Sequence, residues 1–581
     1  MKIKLVNDNI QDNYARALLA ERGVTDFNSF LDPTINNVQS PADLINVVIA
    51  ADKVQEMVQS NEPILLLIDS DCDGFCSASI IYQYLKEIEP TLQIETVAHE
   101  GKGHGLGDII NRPDVNIDRY SYMIIPDAAT NDAVNFAQYP NTDFLILDHH
   151  ESDTEDIITV GNNYIIVNNQ LSPKYRNKAL CGAGVVWQFC RYLHEQGIGP
   201  SRDKYTDLAA VATVSDIMDS RELENRYIID YGLTHLNNEL ILELIGGRKD
   251  IFTSLEEVTQ DKLAWYVTPM INGMCRSGTY DEKLRLFEAM VDGATLTQDT
   301  KRGAAKGDLV SKAENSAREA RNAKSRQDSR KKKMSALAQI KIEELQLLDN
   351  KTLVLVLDER FEDLPTTLNG LVANQLAQEL GRPVLVGRID SEGYLSGSGR
   401  GSESIEMDGF ASFLLKSDMF EYVSGHQNAF GFKIHSSLID KYHEWANAEL
   451  SDIDVNINAY EVNFIRDGNA SDIPAIVFDV DLHSHLWGNA NKPPTIAIEN
   501  IVVDQSNLSF IGRSNNTVKL QYHGIEYLFF RLSPEQILEF QEYDSLSINV
   551  VGGMSVNTWM GKNTPQVLVQ DYTISNGEFA F

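Results

Sequence analysis

Asp69, Asp71 and Asp73 stand at alternate positions immediately after the apolar run Ile64–Ile68 and immediately before Gly74. Three carboxylates so close together repel one another unless a cation sits among them. Hard carboxylate oxygens suit Mg²⁺ or Mn²⁺, so the chemistry to expect is metal-assisted. One acidic loop could be a solvated turn. The pattern recurs, however: Tyr122–Pro126 leads into Asp127, Phe144–Leu147 into Asp148-His149-His150, and Leu208–Val214 into Ser215-Asp216. Four apolar runs that each end in an acid or histidine predict one site shared among the carboxyl ends of buried parallel strands. Cys72 and Cys76 lie beside these acids and are read as small packing residues.

The elements that must position those groups follow from the periodicity. From Glu62 to about Ile245, strands and helices alternate, as in βαβ units around a parallel sheet. Gly74 permits a tight turn into a helix suggested by Ser77–Ile88. The Gly-rich loop His99–Gly107 brings backbone where a phosphate could approach, and Leu180–Val186 marks a helix start packed closely on a strand. Thr268–Arg276, non-periodic and containing Pro269, Asn272 and Arg276, reads as a loop whose arginine could clamp phosphate. Ahead of this region, Tyr14–Gly23 and Ala42–Gln59 read as helices with packing roles.

Residues 294–348 show no strand signal and suit long helices. A second α/β unit follows, with strand Leu353–Leu357, helix Leu368–Leu380 and strand Pro383–Val386. Its Gly397-Ser398-Gly399-Arg400 and Ser424–Gly431 stretches read as loops suited to an oxyanion. Beyond about Asp454, alternating runs predict a small antiparallel barrel. Trp487, Tyr522, Phe529, Phe530 and Trp559 are expected mostly in its core, with base-stacking positions among them.

With 581 residues and a hydrophobic fraction of 43%, the chain has the material for several packed domains. Five scattered cysteines indicate neither a disulfide framework nor a cysteine zinc site. No apolar stretch approaches the roughly 20 residues of a membrane span, and the start lacks a signal-peptide core, which places the protein in the cytoplasm with no membrane partner. The net charge of −34 argues against whole-surface attraction to nucleic acid. Between Lys301 and Lys333, though, twelve Lys/Arg face four Asp/Glu, a local basic wall able to guide a polyanion or simply a solvated helix face.

Asp69-x-Asp71-x-Asp73-Gly74, Asp127, Asp148-His149-His150 and Asp216 resemble, in order and spacing, the motifs of the DHH phosphoesterase superfamily. The fuller match is to the RecJ family of single-strand-specific exonucleases. Arg22-Gly23-Val24, Phe30–Pro33, Pro269–Arg276, Gly397–Arg400, Gly425–Gly431, Trp487-Gly488 and Val556–Gly561 all resemble RecJ segments. The resemblance implies an α/β protein with an N-terminal helical segment (1–60), a parallel-sheet DHH domain (61–293), a long helical connector (294–350), a smaller α/β DHH-associated domain (351–453) and a C-terminal OB-like β-barrel (454–581). It implies a 5′-to-3′ exonuclease of DNA repair and recombination that releases mononucleotides using two Mn²⁺ or Mg²⁺ ions.

Carried over by position, Asp71, Asp73, Asp127, His149 and Asp216 would hold the metals, with Asp127 bridging. Asp69 would be a further ligand or a catalytic base, and Asp148 would orient the histidines. His150 and Arg276 would neutralise charge on the scissile phosphate. Asn272 would bind substrate, while Arg400, Gly425 and His426 would grip the 5′ phosphate. Single-stranded DNA is the implied substrate, with a single-strand-binding protein or a helicase as the class of protein partner.

Asp127 is followed by Ala128-Ala129-Thr130 where the family has Asn-Gly, and Phe430 stands where a small residue is usual and would narrow the substrate path. These departures and the acidity suggest a divergent, phage-type member. A hydrolase of short oligonucleotides or cyclic dinucleotides would share the metal motifs, but needs neither the connector nor the barrel. A noncatalytic single-strand-binding scaffold should have lost ligands, and here each acid position is filled.

Overall fold

The computed structural model describes residues 2–6, 13–100, 103–152, 154, 156–402, 405, 407, 409–453, 459–512 and 516–577. The chain divides into two compact units, one of residues 22–327 and 485–492, the other of residues 1–21, 328–484 and 493–581. The expected N-terminal segment 1–60 is therefore split between them. Strand Lys2–Leu5, which the sequence did not signal, pairs in parallel with Ala459–Val462. The boundary expected at 453/454 meets residues 454–458, which lie outside the described residues.

The first unit is built on a five-stranded, wholly parallel sheet. Its strands are β1 (Ile64–Ile68), β2 (Ile94–Ala98), β3 (Tyr122–Pro126), β4 (Asp143–Asp148) and β5 (Tyr164–Asn168), in the order β2-β1-β3-β4-β5. Side chains alternate across the pleat, so each apolar run supplies two cores. Leu66, Ile68, Ile124, Leu145 and Leu147 pack on one face, and Leu65, Leu67, Met123, Ile125, Phe144 and Ile146 on the other. The chain runs outward from β1 to β2, then returns to β3 beside β1. A crevice opens at such a reversal beyond the strand ends, and the loops bearing Asp69–Asp73 and Asp127 flank it.

Helices α1 (Val47–Ser60), α2 (Cys72–Ile88), α3 (Gly182–Glu195) and α4 (Thr206–Ser215) cover the first face. Here the strand reading of Leu208–Val214 is corrected. That run is helix α4, buried on all sides from Thr206 to Val214, so its sequence shows no amphipathic period. Thr268–Arg276 is likewise not a loop but most of helix α5 (Thr268–Ser277), with Pro269 in the first turn, where its missing N–H breaks no helical bond. The stretch expected to lack strands opens with an antiparallel pair, Leu296–Gln298 with Leu309–Ser311, before the 33-residue helix α6 (Lys312–Glu344). Its basic residues are partly paired: Arg318 with Asp299, and Arg326 with Glu282.

In the second unit, β6 (Leu353–Val356), α7 (Asn369–Leu380), β7 (Val384–Ile389), β8 (Tyr394–Arg400), β9 (Phe420–His426) and β10 (Ala429–His435) form a sheet of order β9-β10-β8-β7-β6. The two Gly-rich stretches read as loops are strand: Gly397–Arg400 ends β8, and Ser424–Gly431 spans the tip of the β9–β10 hairpin. The glycines reflect close backbone approach, since a β-carbon on Gly397 would strike the Val386 carbonyl across the ladder. A further seven-stranded sheet takes the order Phe464–Asp467, Thr495–Asp504, Ser545–Trp559, Lys562–Asn576, Ile525–Phe529, Thr517–Tyr522 and Leu508–Ile511. Two of its pairings are parallel where the alternation suggested antiparallel ones throughout. Among the described residues, no helix is long and apolar enough to cross a membrane.

Candidate metal centre

Three acid-bearing loops leave the sheet at the carboxyl ends of β1, β3 and β4, and Asp216 arrives from the C-terminal end of α4. Their ligand atoms converge. One group within 4.8 Å joins Asp69, Asp71 and Asp127, a second joins Asp73, His149 and Asp216, and a third joins Asp127, Asp148, His149 and His150. Nε2 of His149 stands 3.2 Å from Asp127 Oδ1, 3.6 Å from Asp216 Oδ2 and 3.9 Å from Asp73 Oδ2.

Backbone N–H groups hold Asp71, Asp73 and Asp148. Asp71 caps α2, its Oδ1 accepting from Gly74 N at 3.1 Å. Asp73, in the first turn of that helix, accepts from Gly182 N and Ala183 N at 2.7 Å each, the free N–H groups at the start of α3. Asp127 sits at φ 63 and Ala129 at φ 77, an uncommon left-handed backbone for side chains of these kinds. Thr130 closes that turn by donating its N–H to Asp148 Oδ2 at 2.9 Å. Asp148 is fully buried and also accepts from the N–H of His149 at 2.7 Å and from His150 Nδ1 at 2.7 Å. Its oxygens are thus engaged by the His150 ring and by the backbone of Thr130 and His149.

The electrostatics show what these residues lack. Burial, reinforced by the charges of Asp73, Asp71, Asp69 and Asp216, pushes the Asp127 carboxyl well above its ordinary range. Burial with Asp73 and Asp71 raises Asp216 to about 9, and burial with Asp69 and Asp73 raises Asp71 to about 6. Asp127 Oδ1 and Asp216 Oδ2 are buried without a hydrogen-bond donor. Buried acceptors are nearly always satisfied, so two orphaned oxygens in a like-charged cluster fit divalent cations. Burial lowers the His149 pKa, keeping its imidazole neutral and able to ligate.

Asp69 differs from its neighbours. Burial would raise it, but His104 Nδ1 at 3.1 Å and His99 Nε2 at 3.3 Å outweigh that and hold it at about 2. Both histidines come from the loop singled out for its glycines alone; Gly101 and Lys102 of that loop lie outside the described residues. His150 packs its ring 4.6 Å from that of His104 and remains half exposed. Arg276 lies in the last turn of α5, its charge favours the ionised form of Asp71, and its Nε is buried without an acceptor.

Asn272, expected to bind substrate, has its amide engaged within the chain. Its Oδ1 accepts from Cys72 N and its Nδ2 donates to Ser215 Oγ, both at 3.0 Å, so it spans the turns that carry Asp71 and Asp216. In the second unit, Arg400 and His426 both face Ala429 across the ladder, and Gly425 adopts φ 128. Phe430 does not narrow a path. It is buried on the inward face of β10 against Phe410, and Gly399 leaves the space its ring fills. Of the aromatics named above, Trp487 and Phe529 are buried, while Phe530 and Trp559 are 51% and 70% exposed.

Comparison with known proteins agrees in architecture. Residues 63–213 match the model of the DHH family, N-terminal domain, and residues 470–571 that of the RecJ OB domain. The chain is 30% identical over 591 residues to a Bacillus subtilis protein named as an SPbeta prophage-derived single-strand DNA-specific exonuclease, YorK, covering 99% of this chain and 98% of that one. It is 25% identical to the single-stranded-DNA-specific exonuclease RecJ of the same organism, covering 96% of this chain and 68% of that one. The crystal structure of RecJ from Thermus thermophilus in complex with Mn²⁺ superposes with a TM-score of 0.69 at 17% identity, over 98% of this chain and 79% of that one.

Proposed function

Because this chain belongs to the RecJ family of single-strand-DNA-specific exonucleases, we propose that it hydrolyses single-stranded DNA from the 5′ end with two divalent cations, Mn²⁺ or Mg²⁺, releasing 5′-mononucleotides. The observation that carries this reading is the meeting of Asp71, Asp73, Asp127, His149 and Asp216 around oxygens that have no donor of their own. Asp73, His149 and Asp216 would hold one ion and Asp71 the other. Asp127 belongs to ligand groups with both Asp71 and His149, which suits it to lie between them. Bound there, the cations would acidify a coordinated water and stabilise charge developing on the phosphodiester.

The remaining roles belong to the chain itself. Asp148 fixes His150 through Nδ1, leaving its other ring nitrogen for a phosphate oxygen, and Arg276 adds a permanent positive charge. Asp69, kept ionised by His104 and His99, serves as an added ligand or as a base. Arg400, Gly425 and His426 would hold the 5′-terminal phosphate and so set polarity. A helicase or single-strand-binding protein is the partner class proposed, and the cytoplasm the proposed location.

The test uses 5′- and 3′-labelled single strands and duplexes with Mn²⁺ or Mg²⁺. Asn tolerates the left-handed backbone at position 127 and keeps the shape of the side chain, so Asp127→Asn removes the charge with little distortion. Wild type should release the 5′ label first, from single strands, and the variant should lose more than ~100-fold, beyond the usual cost of losing a supporting residue. Equal attack on both ends of duplex, or an active variant, contradicts the reading.

A further inference from the structure

The turn that presents Asp216 is fastened by a segment some 270 positions downstream. After α4 the backbone folds back on itself at Ile217, a β-branched residue at φ 58, with Met218 N donating to Thr213 O at 3.2 Å. A β-branched residue persists in that conformation where its surroundings impose it. The ends of this turn are held by residues 485–492, which lie within the stretch matched to the RecJ OB domain yet pack in the unit that carries the candidate metal ligands, while the Ile217 side chain itself is exposed. Asn489 Nδ2 donates to Val214 O at 2.9 Å, two residues before Asp216. The Asn489 carbonyl accepts from Ser220 N at 3.2 Å and Ser220 Oγ at 2.7 Å, four residues after it. One residue thus ties both ends of the turn.

The segment is itself firmly built. Gly488 and Asn491 exchange backbone hydrogen bonds around Asn489 and Ala490, the latter at φ 57. Trp487 is buried with the Arg22 guanidinium 5.5 Å over its ring, and Arg22 also donates to Asn491 Oδ1 at 2.8 Å. A β-carbon on Gly488 would run into the Gln260 amide, so the hairpin lies flat against the rest of its unit. A support this rigid transmits its position to what it holds.

We propose that Asn489 is a positioning residue for the metal centre, setting the reach of Asp216 so that the 485–492 hairpin completes the cation site. This rests on the metal reading above. Its test is Mn²⁺ binding to the full-length protein, followed by calorimetry and by the electron paramagnetic resonance of free Mn²⁺, for wild type, Asn489→Ala, Asn489→Asp and, as a control in the other unit, Trp559→Ala. Asp keeps the size of the side chain but cannot donate to Val214 O, so it stands in if the alanine variant fails to fold.

Loss of a residue that orients a ligand typically weakens metal binding by about 10- to 100-fold. Both Asn489 variants should show weakening of that order while Trp559→Ala binds as wild type. The rate at saturating Mn²⁺ should recover, with the metal concentration for half-maximal activity displaced. Unchanged Mn²⁺ affinity in the two Asn489 variants, with or without a lower melting temperature, overturns the proposal. Wild type that binds no Mn²⁺ overturns the metal reading beneath it.

Discussion

Gly182 lies so close to Asp127 that a β-carbon built on it would stand 2.6 Å from Asp127 Cβ and nearer still to its carboxylate. The same glycine donates its N–H to Asp73. Helix α3 therefore begins with glycine because Asp127 occupies the space a side chain would need, while the backbone N–H there serves Asp73. In an open helix Gly→Ala stabilises by up to ~1 kcal/mol. Gly182→Ala should instead displace Asp127 and lower Mn²⁺ affinity at least ~10-fold, measured by calorimetry. Wild-type affinity with a raised melting temperature would contradict the packing argument.

Asn272 bridges Cys72 N and Ser215 Oγ. Asn272→Ala leaves the Cys72 N–H without its acceptor, at a cost of about 1–3 kcal/mol, and frees two ligand turns at once. Denaturant unfolding should show that loss. Asn272→Asp keeps the acceptor and loses the donor, and should fall between the alanine variant and wild type. Equal stability of all three would contradict the bridge.

Stability of the metal-free protein should fall as pH rises. Carboxylates raised in the folded state contribute stability that is complete below their ordinary pKa near 4 and is lost as pH climbs through the folded value. Burial and neighbouring acids place that loss at about 6 for Asp71 and about 9 for Asp216. His104, which its bond to Asp69 carries against burial to about 9, acts in the same sense from 6.5 upward. Burial lowers His149, which opposes the trend near pH 6.5. Asp69 and Asp148, lowered, lose their contribution only in acid below about 4. Melting temperatures in chelator should therefore drop between pH 5 and 8.5, and Mn²⁺ should remove most of the drop. A flat profile, or one indifferent to Mn²⁺, would contradict the electrostatic picture.

Arg400 and His426 meet at one level of the second unit's sheet, on either side of Ala429. Arg400→Ala and His426→Ala should raise KM for 5′-phosphorylated single strands and reduce discrimination against 5′-hydroxyl ends about tenfold or more, consistent with loss of a charge-assisted hydrogen bond. Unaltered end preference would remove both residues from the terminal phosphate.

The sequence made the parallel sheet legible because buried strands read as unbroken apolar runs, and the acids that close Ile64–Ile68, Tyr122–Pro126 and Phe144–Leu147 fall at strand ends by simple adjacency. Leu208–Val214 misled for the same reason: a helix buried on every side has no polar face to reveal its period. Gly397–Arg400 and Ser424–Gly431 resembled loops because strands that approach each other closely shed their side chains. Asn272 is legible only as a substrate-binding residue of the family motif and Asn489 not at all, since each bonds a turn far away in sequence and neither spacing nor charge marks such a bond. His104 stood in plain view among glycines, but its worth depends on Asp69, 35 positions away.

The most direct measurement is anomalous scattering from a crystal of the full-length protein soaked in Mn²⁺. Two peaks are expected roughly 3.5–4 Å apart, both within reach of Asp127, one flanked by Asp73, His149 and Asp216 and the other by Asp71. No peak, or peaks away from these side chains, would contradict the account.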